Sequence, residues 1–387
     1  MERYWEESRL RFTRGFSFPP SILFSPEDPR TRPQFVRKYF HNGEMLDLFE
    51  LTRALVDIES VTNNEEAVAS FLLGLLSDLT ARTGGAVERC PVEANRFNVF
   101  AHWGIPLVTL STHMDTVPPF FASREDSEFI WGRGSADAKG IIASMIAAAE
   151  KLLAEGARNF GLLFVVGEER NSSGALAAAR DPRGSRFLIN GEPTDNKLVL
   201  AAKGILRYVI EATGRLAHSA YPELGESAID KLLDALQEIR KIPLPEDQLM
   251  GRTTLNIGVI SGGRAPNVIP DAARAEISFR TVDSGDTLRQ AVTRAVAGRA
   301  AAKEAFSGPP MRFTSFDGLE STVVSYTTDV PAFANTWGQP FLIGPGSIHV
   351  AHTSEERIAK KELLEAAEIY KKMVAQLVTR ASEAPRP

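Results

Sequence analysis

From residue 45 onward, short and mostly apolar runs alternate with helical patterns, and that rhythm leaves few folds open. The runs lie at 98–101, 107–111, 162–166 and 187–190, and include VTLS and LLFVV. Unbroken apolar runs of this length read as parallel strands buried on both faces. Helical patterns occupy 46–57, 65–80, 140–154 and 174–180. Strand–helix alternation predicts an α/β domain with a mostly parallel sheet covered by helices.

The rhythm changes after Glu192. Strand patterns at 206–213, 254–260 and 274–281 enclose amphipathic helices at 227–240 and 287–296, and a further strand is expected near Arg312. Strand, helix, strand, strand, helix, strand is the order of a ferredoxin-like α+β unit. Residues 203–312 therefore read as a small domain inserted into a larger one made of 45–202 and 313–387. In the larger domain the pattern resumes with a helix at 330–337, a strand at 340–343 and a closing helix at 360–378. Residues 1–44, rich in Arg, Phe and Pro, show no sustained periodicity and read as an extension, with Met45 as a candidate original start.

Composition removes several classes of function. The 43% apolar and 24% charged residues are ordinary globular values, which excludes a mostly disordered chain. With 44 basic and 49 acidic residues the formal charge is −5, so no basic footprint for nucleic acid exists. A single cysteine, Cys90, precludes an intrachain disulfide and a cysteine-based zinc site. The most apolar run, 140–149, is too short to span a membrane, and the charged N-terminus does not read as a signal peptide. A cytoplasmic protein is expected. Nucleotide and serine-hydrolase chemistry lack their motifs. There is no phosphate-binding loop and no nucleophile elbow, and Asp137 stands where a dinucleotide fingerprint needs glycine.

Chemistry-bearing residues collect where strands end. His113 and Asp115 follow VTLS, Glu168 and Glu169 follow LLFVV, and Glu192 follows FLIN. In an open α/β sheet, ligands bind beyond the carboxyl ends of the strands. Asp137 precedes the helix pattern at 140, where a carboxylate suits a helix N-terminus or can bridge two cations. His349 and His352 follow a Gly-Pro-Gly loop. Asp115, Asp137, Glu168, Glu169 and Glu192 would place five negative charges at one sheet edge. Two divalent cations would offset most of that repulsion, and mixed imidazole and carboxylate donors suit zinc or a similar ion.

The segments STHMDTVP, GRGSADAKG, VVGEERNSSGA, NGEPT, GRLAHSAYP, GGRAPNVIPDAARAEISFR and GPGSIHVAHTSEE, in that order, strongly resemble the dinuclear-zinc metallopeptidases. That family includes acetylornithine deacetylase, succinyl-diaminopimelate desuccinylase and glutamate carboxypeptidase. The resemblance runs from about residue 46 to the end. It implies a zinc-peptidase-like catalytic domain with an inserted lid and dimerisation domain. It implies two divalent ions, zinc foremost with cobalt or manganese as alternatives. Asp137 would bridge them, His113 and Glu192 would complete one site, and Glu169 and His352 the other. Spacing to Ser354-Glu355-Glu356 favours His352 over His349 as the ligand. Many members have Asp-Glu-Glu where this chain has Gly167-Glu168-Glu169, and both glutamates are kept.

The same resemblance assigns Glu168 as general base, Asp115 as the residue orienting His113, and His218 as the group that polarises the scissile carbonyl. Asn267 and Arg280 would hold a substrate carboxylate, and Gly346 and Ser347 would line the substrate site. The implied activity is removal of an N-acyl group from a small amino acid, acetylornithine deacetylase-like in arginine or lysine biosynthesis. A desuccinylase or a metallo-dipeptidase or carboxypeptidase is the alternative. A small-molecule binding protein on the same fold is disfavoured by the complete ligand set. A homodimer through the insert is expected, because pairing of an exposed edge strand would satisfy its backbone groups.

Overall fold

The computed structural model describes residues 47–383. The extension read at 1–44 and the candidate start at Met45 lie outside the described residues.

The central sheet has six strands in the order Ala86–Glu93, Arg96–Trp103, Phe160–Val165, Val108–His113, Phe187–Asn190, Gln339–Leu342. The last four run parallel to one another. Arg96–Trp103 runs antiparallel to Phe160–Val165 and forms a hairpin with Ala86–Glu93. Phe160–Val165 and Val108–His113 are buried along their whole length, as central parallel strands covered on both faces are. The helix Gly140–Ala154 is buried on nearly every side and packs against the closing helix Lys360–Glu383. This explains why it reads as apolar throughout rather than amphipathic.

The insert is a four-stranded antiparallel sheet, ordered Thr254–Gly262, Ala272–Thr281, Gly204–Thr213, Ala301–Gly308. Helices Ala228–Arg240 and Asp286–Val296 pack against Leu206, Tyr208, Ile277 and Phe279 of that sheet. Ser227 Oγ accepts from the Asp230 amide at 3.1 Å and starts the first helix. Removing a buried side chain such as Leu236 from this core would cost about 2–5 kcal/mol.

Two expectations need correction. The fourth insert strand is Ala301–Gly308, not one near Arg312. Its sequence, AAKEAFSG, is largely exposed and has no apolar alternation, so the period-2 signal is missing. Pro309 and Pro310, which cannot donate to a ladder, end it. Met311–Arg312 then pairs with Leu198–Ala202, itself paired with Ser321–Val324, in a small sheet where the chain enters and leaves the insert. The helix expected at 330–337 is a single 3₁₀ turn, Val330–Phe333, closed by Ala334 in the left-handed region. Another small sheet, Arg357–Ala359, Phe129–Trp131 and Arg124–Glu125, lies on the path to the closing helix. Among the described residues, no helix is long and apolar enough to cross a membrane.

Candidate metal centre

Four neighbouring parallel strands deliver their following residues to one edge of the central sheet. His113 ends Val108–His113, and Glu168 and Glu169 follow Phe160–Val165. Glu192 follows Phe187–Asn190, and His352 lies beyond Gln339–Leu342 with φ +63°. Asp137 comes from the irregular buried turn Ser135–Lys139, just before the helix Gly140–Ala154. Its two oxygens face two imidazoles: Oδ1 is 3.0 Å from His113 Nε2 and Oδ2 is 3.3 Å from His352 Nε2. His352 Nε2 also lies 3.0 Å from Glu169 Oε1. Donor atoms of His113, Asp137 and Glu169 all fall within 4.8 Å of one another. Ligands on a shared ion at about 2.0–2.2 Å stand no farther apart than about 4 Å, so small side-chain movements suffice to enclose one.

Asp115 organises this edge. Its carboxylate accepts from the Glu168 amide at 3.0 Å, the Glu169 amide at 3.2 Å and Thr62 Oγ1 at 2.8 Å. His113 Nδ1 donates to the Asp115 carbonyl at 3.0 Å, with Asp115 Oδ1 at 3.5 Å. That arrangement keeps a proton on Nδ1 and leaves Nε2, which faces Asp137, as the nitrogen that can ligate a cation.

The charges show what the cluster is suited to hold. Burial, then the neighbouring Glu192, raises the Glu168 carboxyl well above the usual range. Burial does the same to Glu192, with Asp137 adding to it. Burial and Asp137 also raise Glu169. Burial alone would raise Asp137 too, but the two histidines hold it well below the usual range. Asp137 and Glu169 push the His352 imidazole up to about 10. Glu192 Oε1 is buried with no hydrogen-bond partner among the described residues. Carboxylates so crowded and desolvated are stable as anions only with cations among them, and the donor set of two imidazoles and several carboxylates fits divalent metal.

The glycine loop lies against this cluster. The Asp195 amide donates to the Gly346 carbonyl at 2.8 Å, and Ser347 bridges to Thr194. A side chain on Gly346, whose φ is +86°, would stand 3.2 Å from the Ala136 methyl beside Asp137. Arg280 reaches across from the insert, with Nη1 donating to Thr327 Oγ1 at 2.8 Å. Burial and the neighbouring Arg207 lower its pKa, while Glu168 is near enough to oppose them. His218 and Asn267 are not brought to the cluster. Both are exposed, at the short ribbon of Ala217–His218 with Val268–Ile269, and the Ser219 amide donates to the Asn267 carbonyl at 3.0 Å. His349 is exposed. No hydrogen bond or ion pair among the described residues joins these three to the metal-ligand candidates.

Several residues at this edge escaped the sequence reading. Glu356 and Arg133 form a buried ion pair at 2.5 Å beside Asp137. Asp329 is a buried carboxyl raised to about 7 by desolvation, near His113, Asp115 and Glu169. Neither acid follows a strand of the central sheet, so position relative to strand ends offered no signal for them.

Residues 200–318 match the M20 peptidase dimerisation domain. A protein named probable carboxypeptidase from Aspergillus niger is 38% identical over 371 residues, covering 85% of this chain and 89% of its own. A peptidase M20 domain-containing protein of Schizosaccharomyces pombe is 36% identical over 340 residues, covering 85% and 84%. Among solved structures, the M20 family metallo-carboxypeptidase Sso-CP2 of Sulfolobus solfataricus has a TM-score of 0.69 at 15% identity, covering 86% of this chain and 99% of that one. The aminopeptidase PepT of Bacillus cereus has a TM-score of 0.69 at 22% identity, covering 86% and 98%. At these identities the two structures show a shared fold. The curated relatives, matched along most of both chains, show descent: this chain belongs to the M20 peptidase family of metal-dependent hydrolases acting on peptide amides.

Proposed function

We propose that the chain is a two-metal exopeptidase that cleaves the amide bond next to a free α-carboxylate in short peptides, as a carboxypeptidase or dipeptidase. One observation carries this reading. The two oxygens of the Asp137 carboxylate face separate imidazoles, His113 and His352, as a bridge between two ions requires. His113 and Glu192 would complete one ion's ligands, and Glu169 and His352 the other's. Zinc suits these donors best, and cobalt and manganese suit them too. Bound divalent ions would supply Lewis acidity, polarising the scissile carbonyl and acidifying water.

The chain's own residues do the rest. Glu168 takes the proton of the attacking water on a carboxylate oxygen and passes it to the departing nitrogen. Asp115 fixes both the His113 tautomer and the backbone that carries Glu168. Arg280, half-buried and without a carboxylate partner among the described residues, holds the substrate's α-carboxylate against Thr327. His218 and Asn267 stand away from the cluster in one chain, so they would complete a site only by domain closure or from a second copy. The edge strand Thr254–Gly262, with Val259 and Ile260 exposed, offers the surface for such a homodimer.

The relatives' names favour peptidase over deacetylase. Acetylornithine deacetylase-like action remains the second reading, favoured by the likeness of GPGSIHVAH and TSEE to those enzymes. A hydrolysis panel of dipeptides, C-terminally amidated dipeptides, N-acetylornithine and N-succinyl-diaminopimelate, each with Zn²⁺, Co²⁺ or Mn²⁺, separates them. Hydrolysis confined to free-carboxylate peptides supports the proposal. Turnover of N-acetylornithine alone replaces it with the second reading. Elemental analysis finding no divalent ion in active protein overturns both.

A further inference from the structure

The backbone that presents Asp137 is irregular. Asp137 (φ −130°, ψ 87°) and Ala138 (φ −135°, ψ 27°) depart from helical geometry, and every residue of Ser135–Lys139 is buried. The Ser135 and Lys139 amides donate to the carbonyls of Gly132 and Gly134, but those of Gly134, Ala136 and Asp137 need an acceptor from elsewhere in the fold. Glu356 supplies the acceptor. Its Oε1 accepts from the amides of Gly134 at 2.9 Å, Ala136 at 3.3 Å and Asp137 at 3.2 Å. Its Oε2 accepts from Arg133 Nη1 at 2.5 Å. Arg133 is in turn held by the Pro119 carbonyl, to which its Nε donates at 3.2 Å. Both partners of the ion pair are buried.

The sheet explains how Glu356 gets there. Arg357–Ala359 pairs with Phe129–Trp131, Arg357 opposite Trp131, and the Gly132 amide donates to the Glu356 carbonyl at 3.1 Å. That register sets Glu356 beside the turn. Four residues earlier in the same segment, His352 meets the Asp137 side chain. One stretch of chain therefore holds Asp137 twice, by its carboxylate through His352 and by its backbone through Glu356.

We propose that Glu356, braced by Arg133, is a positioning residue that sets the aim of the Asp137 carboxylate and so the affinity and geometry of the metal centre. This rests on reading Asp137 as a metal ligand. Glutamine at 356 can offer its oxygen to the three amides only by turning its NH₂ toward Arg133, donor against donor. Aspartate keeps the charge but is one methylene short of reaching both sets of partners.

The test uses full-length protein, with Zn²⁺ affinity read by competition with a chromophoric chelator and site geometry read from the Co²⁺ absorption spectrum. Glu356→Gln should bind Zn²⁺ about 10–100-fold more weakly and shift the Co²⁺ bands, the size typical of lost outer-sphere support. Leu236→Ala, in the insert core, should lower the melting temperature and leave affinity and spectrum at wild-type values. If Glu356→Gln does not fold, Glu356→Asp takes its place with the same expected direction. Wild-type affinity and spectrum in the folded Glu356 variant overturn the inference, as does equal loss of affinity in Leu236→Ala. Wild-type protein that binds no Zn²⁺ removes the metal reading itself and the inference with it.

Discussion

The Asp115 carboxylate accepts the backbone amide of Glu168 at 3.0 Å, so the residue that orients His113 also holds the backbone that presents Glu168. The end of one strand is thereby tied to the end of its parallel neighbour, across the sheet edge where the candidate ligands converge.

Replacing Asp115 with Ala strips the acceptor from two buried amides and from Thr62 at once. The expected result is a loss of about 10–100-fold in metal affinity or kcat, with KM less affected. Titration with Zn²⁺ and steady-state kinetics check it. Unchanged values would show that His113 and Glu168 keep their places without this support.

Glu168→Ala should retain the wild-type divalent metal content and lose about 10²–10⁴-fold in kcat, the range for a positioned proton acceptor. Elemental analysis and turnover on the best panel substrate measure the two quantities separately. Near-normal turnover removes Glu168 as the base.

Arg280→Met should raise KM for free-carboxylate substrates about 10-fold or more, since a lost hydrogen bond to a charged group costs about 1.5–3 kcal/mol. C-terminally amidated substrates, already poor, should be little affected. Equal effects on both substrate sets would place Arg280 outside the carboxylate contact.

A pH effect is expected away from the site. The carboxyl of Glu150, on the helix Gly140–Ala154, is raised from 4.5 to about 7 by burial, with Arg82 opposing. The folded state then holds this proton more tightly than the unfolded state. The contribution is at its best below about pH 4.5 and is lost as pH rises through about 7. Glu150→Gln should therefore be more stable than wild type at pH 8, by about 1–2 kcal/mol for a carboxyl that is only partly buried, and no more stable near pH 4.5. Chemical denaturation at the two pH values reads the difference. A Gln variant equally or less stable at pH 8 contradicts it.

Much of the fold was legible in local pattern. The helix Gly140–Ala154 and the strand Phe187–Asn190 fall where the sequence pattern places them, because burial on most sides leaves a largely apolar run. Ala301–Gly308 was not legible, since it is an exposed edge strand whose pairing depends on Gly204–Thr213 rather than on its own side chains. The same division holds at the site. Residues just past buried strands stand out by position, whereas Glu356 and Thr327 matter only through contacts across 219 and 47 residues of chain, to Asp137 and Arg280.

The amino-acid sequence by itself determined the layered α/β scaffold, the insert, and which side chains could arrive at the sheet edge, because hydrophobic period and strand-end position are local properties. The tertiary structure alone decided that Asp137 faces two imidazoles, that Asp115 and Glu356 hold the backbones bearing Glu168 and Asp137, and that His218 and Asn267 stand apart in one chain. Those are distances between segments far apart along the chain, and only the packing of the whole molecule sets them.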